Sequence, residues 1–285
     1  MAEHISPNRT AAMMGPQTAE LVKRVISAVI LGSIGIAATL AGAWPLAVIV
    51  GIVSSLLAWE WGRLVRNCAF DDLLFVHIGA LLIAIALATA GMMGYAILAL
   101  LAGFIAIAIR RSREYTKLSA FGVPYVGIAA IGIIWLRSGE LGSAAILFVF
   151  ACVWAHDSFA MLFGRALGGP RLWPSVSPKK TWSGAIAGLF ASTFFASLGV
   201  LVLPGTQILW LAPLGFILGL AALLGDLAES SLKRLGRVEN ASGLIPGHGG
   251  FLDRMDGAVA SFAVACLIAY CLNADAPAKA LLLGH

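Results

Sequence analysis

The sequence predicts an all-α integral membrane protein, a polytopic bundle of about nine transmembrane helices with its N-terminus in the cytoplasm and its C-terminus outside. Three observations lead there. The 285 residues are 60% hydrophobic and 12% charged, with a mean hydropathy of +0.93, far above a soluble domain. Apolar runs of roughly 17 to 21 residues recur, each long enough to cross a bilayer core as a helix. The basic residues fall at alternate junctions between those runs, so a pI near 9.2 reflects membrane orientation rather than nucleic-acid binding.

In chain order the spans are read at 25–43, 45–62, 73–90, 92–109, 120–136, 143–163, 184–203, 207–225 and 256–273. Residues 1–20, with Pro7, Gly15 and Pro16, read as a mobile polar tail. The first span is too long for a signal peptide, and further spans follow it. Lys23 and Arg24 precede the first span, and Arg63 and Arg66 follow the second. Arg110, Arg111, Arg113 and Lys117 follow the fourth; Arg165, Arg171, Lys179 and Lys180 the sixth; Lys233, Arg234, Arg237 and Arg254 the eighth. The turns near 44, 91 and 205 carry no Lys or Arg. With Arg9, 17 of the 19 basic residues share one side, and only Arg137 and Lys279 fall on the other. The positive-inside rule makes the rich side cytoplasmic. Cys68, Cys152, Cys266 and Cys271 have no CxxC spacing and read as small packing residues, with no zinc site or disulfide framework.

The chain divides into the tail, a region of plain spans over 21–140, and a polar-rich transmembrane region over 141–285. In the first half Glu60 stands out, at the cytoplasmic end of span two, and is read as pairing with a nearby arginine. His77 reads as a packed histidine, and Arg110 to Lys117 as a loop facing anionic headgroups. The second half gathers VWAHDSFAMLFGR, SPKKTWSG, LLGDLAESSLKRLGR and PGHGGFLDRMDG, all on the cytoplasmic side.

Asp226, Glu229, Ser230 and Lys233 lie at i, i+3, i+4 and i+7, one face of a helix, and Asp253 and Asp256 are also three apart. Convergent carboxylates beside lysine and arginine suit a hard divalent cation such as Mg²⁺ with phosphate, or a salt-bridge network with Lys233, Arg234 and Arg254. In PGHGG the glycines let backbone approach an anion and His248 can donate to it; a tight turn into the last span is the other reading. Lys179 and Lys180 in SPKKT fit a polyphosphate clamp or an ordinary basic loop. GxxxxGK[ST], GxSxG and HExxH are absent, and no strand precedes the glycines as a dinucleotide fingerprint needs. Asp157 and Asp226 would also fit an ion-coupled transporter, but they cluster at one face and the two halves differ in character.

These residues resemble a known signature. SSLKR, four residues, then ENASGLIPGHGGFLDRMDG is similar to the pattern of the phosphatidate cytidylyltransferases, or CDP-diacylglycerol synthases: S-x-hydrophobic-K-R, four residues, K-D, then a P-G-H-G-G-x-x-D-R-x-D core. Ser230, Leu232, Lys233, Arg234, Pro246, Gly247, His248, Gly249, Gly250, Asp253, Arg254 and Asp256 match it, over a region of about 150–273. The departures are Glu239-Asn240 for K-D, Ser183 where TWEG would have glutamate, and His156. The resemblance implies a bacterial inner-membrane enzyme, its site facing the cytoplasm, that converts CTP and phosphatidic acid to CDP-diacylglycerol and pyrophosphate. It implies Mg²⁺, with a second cation such as K⁺ admitted, held by Asp226, Asp253 and Asp256, with Glu229 and Asp157 as weaker candidates. Asp226, Lys233, His248, Asp253 and Asp256 are then the catalytic set. Lys179, Lys180, Ser230, Arg234, Gly249, Gly250 and Arg254 bind substrate. A homodimer is a further expectation. The alternatives are a CTP-dependent lipid or polyprenol kinase of related fold, a catalytically impaired homologue, and the transporter. The CDP-alcohol phosphotransferases fit less well, because their D-G-x-x-A-R pattern is missing.

Overall fold

A computed structural model describes residues 16–110, 116–236, 238, 241–244 and 249–285. Glu239, Asn240, Pro246, Gly247 and His248 lie outside the described residues, as do residues 1–15 of the expected tail.

Among the described residues a helix coincides with each span read from the sequence. They are α1 (Pro16–Ala41), α2 (Ala43–Arg66), α3 (Asp72–Thr89), α4 (Met93–Ala108), α5 (Thr116–Arg137), α6 (Gly142–Leu167), α7 (Trp182–Leu198), α8 (Ile208–Leu235) and α9 (Leu252–Leu272). Seven of these are long and apolar enough to cross a membrane; the apolar part of α1, Val29–Ala41, and α4 are shorter. At 1.5 Å per residue α4 is only about 24 Å long. Two features depart from the sequence reading. Helix α1 starts at Pro16, inside the expected tail, and a short, largely buried helix α10 (Pro277–Leu283) follows α9. Leu281 and Leu282 of α10 are fully buried, and its Leu281 carbonyl accepts the indole N–H of Trp210 at 2.8 Å.

A third departure is a small antiparallel hairpin between α6 and α7, formed by β1 (Arg171–Trp173) and β2 (Ser177–Thr181). Arg171 pairs with Thr181 and Trp173 with Ser177. Strand β2 runs directly into α7, where Thr181 caps the helix by accepting the Gly184 N–H at 3.2 Å. The hairpin therefore holds Lys179 and Lys180 at a fixed distance from the bundle.

The turn from α2 to α3 shows how the charged end is built. Asn67 closes α2 in the left-handed conformation. Asp71 then caps α3 by accepting the Leu74 N–H at 2.9 Å, and Arg66 grips the same carboxylate through two contacts at 2.8 and 3.0 Å. Arg66 also bonds the Ser119 hydroxyl on α5. At the opposite end, Arg137 Nε of α5 donates to the Thr39 carbonyl of α1 at 2.8 Å, and Lys279 pairs with Glu140. Arg137 and Lys279 thus sit apart from the charged end, as the alternation of basic residues requires.

Helices α6, α7, α8 and α9 pack through small residues. A β-carbon on Gly184 would lie 2.7 Å from the Ala160 carbonyl of α6, and one on Gly215 would lie 2.7 Å from the Ser192 carbonyl of α7. One on Gly225 would lie 2.5 Å from the Asp256 carbonyl of α9. Apolar packing between helices is weak as a driving force in lipid, so close backbone approach matters more. It also brings the polar ends of these four helices together.

The packing makes a direct prediction. Gly215→Val inserts an isopropyl group where not even a β-carbon fits and lowers stability in detergent by about 1–3 kcal/mol. Gly35→Val, at a glycine with no neighbour within 4 Å, leaves the melting temperature near that of the parent. Thermal unfolding of both variants checks the pair.

Candidate active site

Five elements deliver polar groups to one end of the bundle: the C-terminal parts of α2, α6 and α8, the hairpin, and the first turns of α9. The i, i+3, i+4, i+7 spacing on α8 holds as read. Asp226, Glu229 and Asp256 each place a carboxylate oxygen within 4.8 Å of the other two. Glu229 and Asp256 are buried, and Asp226 is half-buried. Asp256 accepts the N–H of Gly257 at 2.7 Å, and Ser230 points its hydroxyl at Asp226 across 3.5 Å.

Two ammonium groups border this cluster. Lys180 Nζ lies 2.6 Å from Asp226 Oδ2, and Lys233 Nζ lies 2.6 Å from Glu229 Oε2 and 3.0 Å from Asp253 Oδ1. Lys233 is thus shared between a carboxylate of its own helix and one of α9. Three carboxylates this close, largely removed from water, repel one another strongly in their charged forms. An oxygen-rich, anionic pocket is the donor set that suits a hard divalent cation.

Asp253 faces differently from its sequence partner Asp256. Its oxygens accept the Gly250 N–H at 2.8 Å and the Ala241 N–H at 3.2 Å, besides the Lys233 contact. It therefore joins Ala241 and Gly250 to α8 through Lys233, and Glu229 takes the place in the carboxylate triad that Asp253 was expected to fill. Arg234 donates to the Val176 carbonyl at 3.1 Å, tying α8 to the hairpin. Arg171 donates to the Lys179 carbonyl at 3.1 Å, and Lys179 itself is exposed to the cleft described below. Gly249 has a positive φ of 85°, which a residue with a side chain adopts only with strain. Ser183, at the expected glutamate position, bonds the Gly168 carbonyl and lies 3.0 Å from the Thr181 hydroxyl. His156 is buried against Gly188, where a β-carbon would lie 2.8 Å from its ring.

Glu60 corrects the sequence reading. No arginine among the described residues pairs with it. Arg63 stacks on the Trp59 ring at 4.9 Å, and Arg66 is held by Asp71. Instead the Glu60 carboxylate accepts the Ser242 hydroxyl at 2.5 Å, the Phe251 N–H at 2.9 Å and the Leu252 N–H at 2.5 Å. An acidic residue inside an apolar span signalled this in the sequence; nothing signalled Ser242.

A cleft of about 1420 Å³ opens from the charged end. Asp157, Lys180, Asp226, Arg254 and Asp256 line one part of it. Val50, Ile133, Phe150, Trp154 and Phe262 line the rest, between α1, α2, α5, α6 and α9. Polar and apolar walls belong to the same space, so an amphiphile can place a charged head among the lysines and its tails along the helices.

The cytidylyltransferase family matches this chain over residues 22–272. A phosphatidate cytidylyltransferase of Brucella abortus biovar 1 is 36% identical over 256 residues, covering 86% of this chain and 91% of that protein. One from Rickettsia bellii is 35% identical over 170 residues, covering 54% of this chain and 73% of that protein. One from Staphylococcus aureus is 41% identical over 135 residues, covering 47% and 51% respectively.

The charge arrangement predicts unequal costs for two lysines. Lys233→Ala leaves Glu229 and Asp253 facing each other without their shared cation and destabilises the fold by about 3 kcal/mol. Lys279→Ala breaks only the exposed pair with Glu140 and leaves the melting temperature unchanged. Parallel thermal melts of the two variants in one detergent check the ordering.

Proposed function

The chain belongs to the cytidylyltransferase family, and from that premise we propose that it is a phosphatidate cytidylyltransferase, condensing CTP with phosphatidic acid to give CDP-diacylglycerol and pyrophosphate. The observation that carries this reading is the single cleft whose walls are charged at one end and apolar along the helices. A water-soluble triphosphate and a two-tailed lipid phosphate need that combination.

In the proposed reaction an oxygen of the lipid phosphate attacks the α-phosphorus of CTP. The new bond is a phosphoanhydride, the bond from the α-phosphorus to the bridging oxygen breaks, and pyrophosphate leaves with the electron pair. No covalent enzyme intermediate is needed, so the protein's task is positioning and charge neutralisation. Asp226, Glu229 and Asp256 would hold Mg²⁺, which when bound offsets charge on the phosphates; Asp157, on the cleft wall, is a weaker candidate, as is a second cation such as K⁺. Lys179 and Lys180 on β2 would grip the triphosphate, Lys180 exchanging its contact with Asp226 for a phosphate oxygen. Arg254 would face the lipid phosphate. Lys233 and Asp253 would keep α8 and α9 in register. His248, with Gly249 and Gly250, would shape the phosphate pocket, and Ser230 and Arg234 would support it.

The same reading places the charged end at the cytoplasmic face of a bacterial inner membrane, because most basic residues collect there. Cys68, half-buried in the turn after α2, tests this. In a variant whose other cysteines are replaced, an impermeant maleimide labels Cys68 in inverted vesicles and spares it in right-side-out ones. The opposite pattern overturns the orientation.

Activity is tested with purified protein, labelled CTP and phosphatidic acid. CDP-diacylglycerol and pyrophosphate are expected with Mg²⁺, and chelation abolishes them. Phosphorylated lipid with CDP as by-product would replace this reading with a CTP-dependent lipid kinase. Absence of product from folded protein would sink it. Asp226→Asn and Asp256→Asn each lower kcat by about 100-fold or more, since each removes a carboxylate that would hold the cation offsetting charge on the phosphates.

A further inference from the structure

Glu60 is a buried acidic group at the charged end that the proposed chemistry leaves unused. It is fully buried, and it is not among the residues that line the cleft. Its position is nonetheless specific. The first amides of α9 have no partner within their own helix, and Phe251 at the helix start offers no side-chain cap. Glu60 accepts two of those donors, Phe251 N–H and Leu252 N–H, from a helix that lies 191 and 192 residues away in sequence. Its negative charge faces the positive end of the α9 dipole. The Ser242 hydroxyl donates to the same carboxylate, and the Ser242 oxygen in turn accepts the Leu244 N–H at 3.1 Å. Gly250 presses on the carboxylate so closely that a β-carbon there would lie 2.6 Å from Oε1.

One side chain on α2 therefore sets where α9 begins and ties Ser242 to that start. Asp253 and Asp256 lie in the first two turns of that helix. A shift or rotation of its start moves Asp256 relative to Asp226 and Glu229, which are fixed on α8. It also moves Asp253 away from Lys233. We propose that Glu60 is a positioning residue for nucleotidyl transfer: it never touches substrate, and it holds the α9 carboxylates in register with those of α8. This rests on the reaction proposed above.

The test compares Glu60→Gln, Glu60→Asp and Ser242→Ala with the parent in detergent. Glutamine keeps the size but turns an N–H₂ toward at least one of the three donors. Aspartate keeps the charge and loses reach. A misplacement of about 1 Å at a reacting centre can cost about 100-fold in rate. Glu60→Gln is expected to lower kcat per folded molecule by about 10- to 100-fold with KM for CTP and for phosphatidic acid within about twofold of the parent, because Lys179 and Lys180 stand on the hairpin and most of the apolar walls on helices other than α9. Glu60→Asp recovers part of kcat, and Ser242→Ala shows a smaller loss in the same direction. A purely structural carboxylate would lower the melting temperature and yield while leaving kcat of the folded fraction unchanged, and that result overturns the proposal. If Glu60→Gln does not fold, parental kcat in Ser242→Ala overturns it as well. Hydrogen–deuterium exchange over residues 249–258 gives a readout separate from turnover, with faster exchange expected in Glu60→Gln. Parental exchange there overturns the anchor. A parent that makes no CDP-diacylglycerol sinks the reaction reading instead, and the exchange still reports on the anchor.

Discussion

The rest of this structure depends on the near contact of α8 and α9 at Gly225, where backbone meets backbone one residue before Asp226 and opposite Asp256. That approach crowds carboxylates that would otherwise repel, and everything around them answers the repulsion. Lys180 reaches in from the hairpin, Lys233 reaches across from α8, and the amides of Ala241 and Gly250 bond Asp253. Burying so much like charge within a mostly apolar bundle is unfavourable for folding alone. It becomes favourable when the protein's partner is itself highly charged. The glycine thus concentrates negative charge, and the lysines offset it, an arrangement that would suit a phosphate and a cation.

Much of the fold was legible because lipid removes alternatives. A backbone that cannot bond water must be helical, so apolar runs mark helices directly. The α8 face was legible for the same kind of reason, because spacings of three and four residues survive any tertiary context. What was not legible depended on contacts between distant segments. Asp253 and Asp256 share a helix spacing, yet one turns to Lys233 and the amides of Ala241 and Gly250 while the other turns to Asp226 and Glu229; the crossing of two helices decides that. Arg63 and Arg66 are nearest to Glu60 in sequence, but Trp59 and Asp71 hold them, and Glu60 finds donors far along the chain. The hairpin and α10 are too short for periodicity to distinguish them from loop.

The two halves of the chain differ in what they contribute. Helices α3, α4 and α5 supply mostly packing, with Arg66 and Asp71 fixing the turn that α2 makes at the charged end. Helices α6 to α9 bring the groups that would meet phosphate. Glu60 crosses that division, since it is a residue of the packing half bonded to the start of a helix in the other. The family match spans both halves, over residues 22–272, as expected if the first half sets the geometry of the second.

The shared cleft has a consequence for how such an enzyme samples its surroundings. One substrate would arrive from bulk water in three dimensions, the other by lateral diffusion within a single leaflet. Turnover would then follow the mole fraction of phosphatidic acid in the surface rather than its amount per litre. Diluting the membrane with inert lipid would slow the reaction at constant total substrate, whereas diluting the vesicles in buffer would not. The product would be delivered back into the same two-dimensional phase, at the interface where its nucleotide head is accessible to the next enzyme that consumes it.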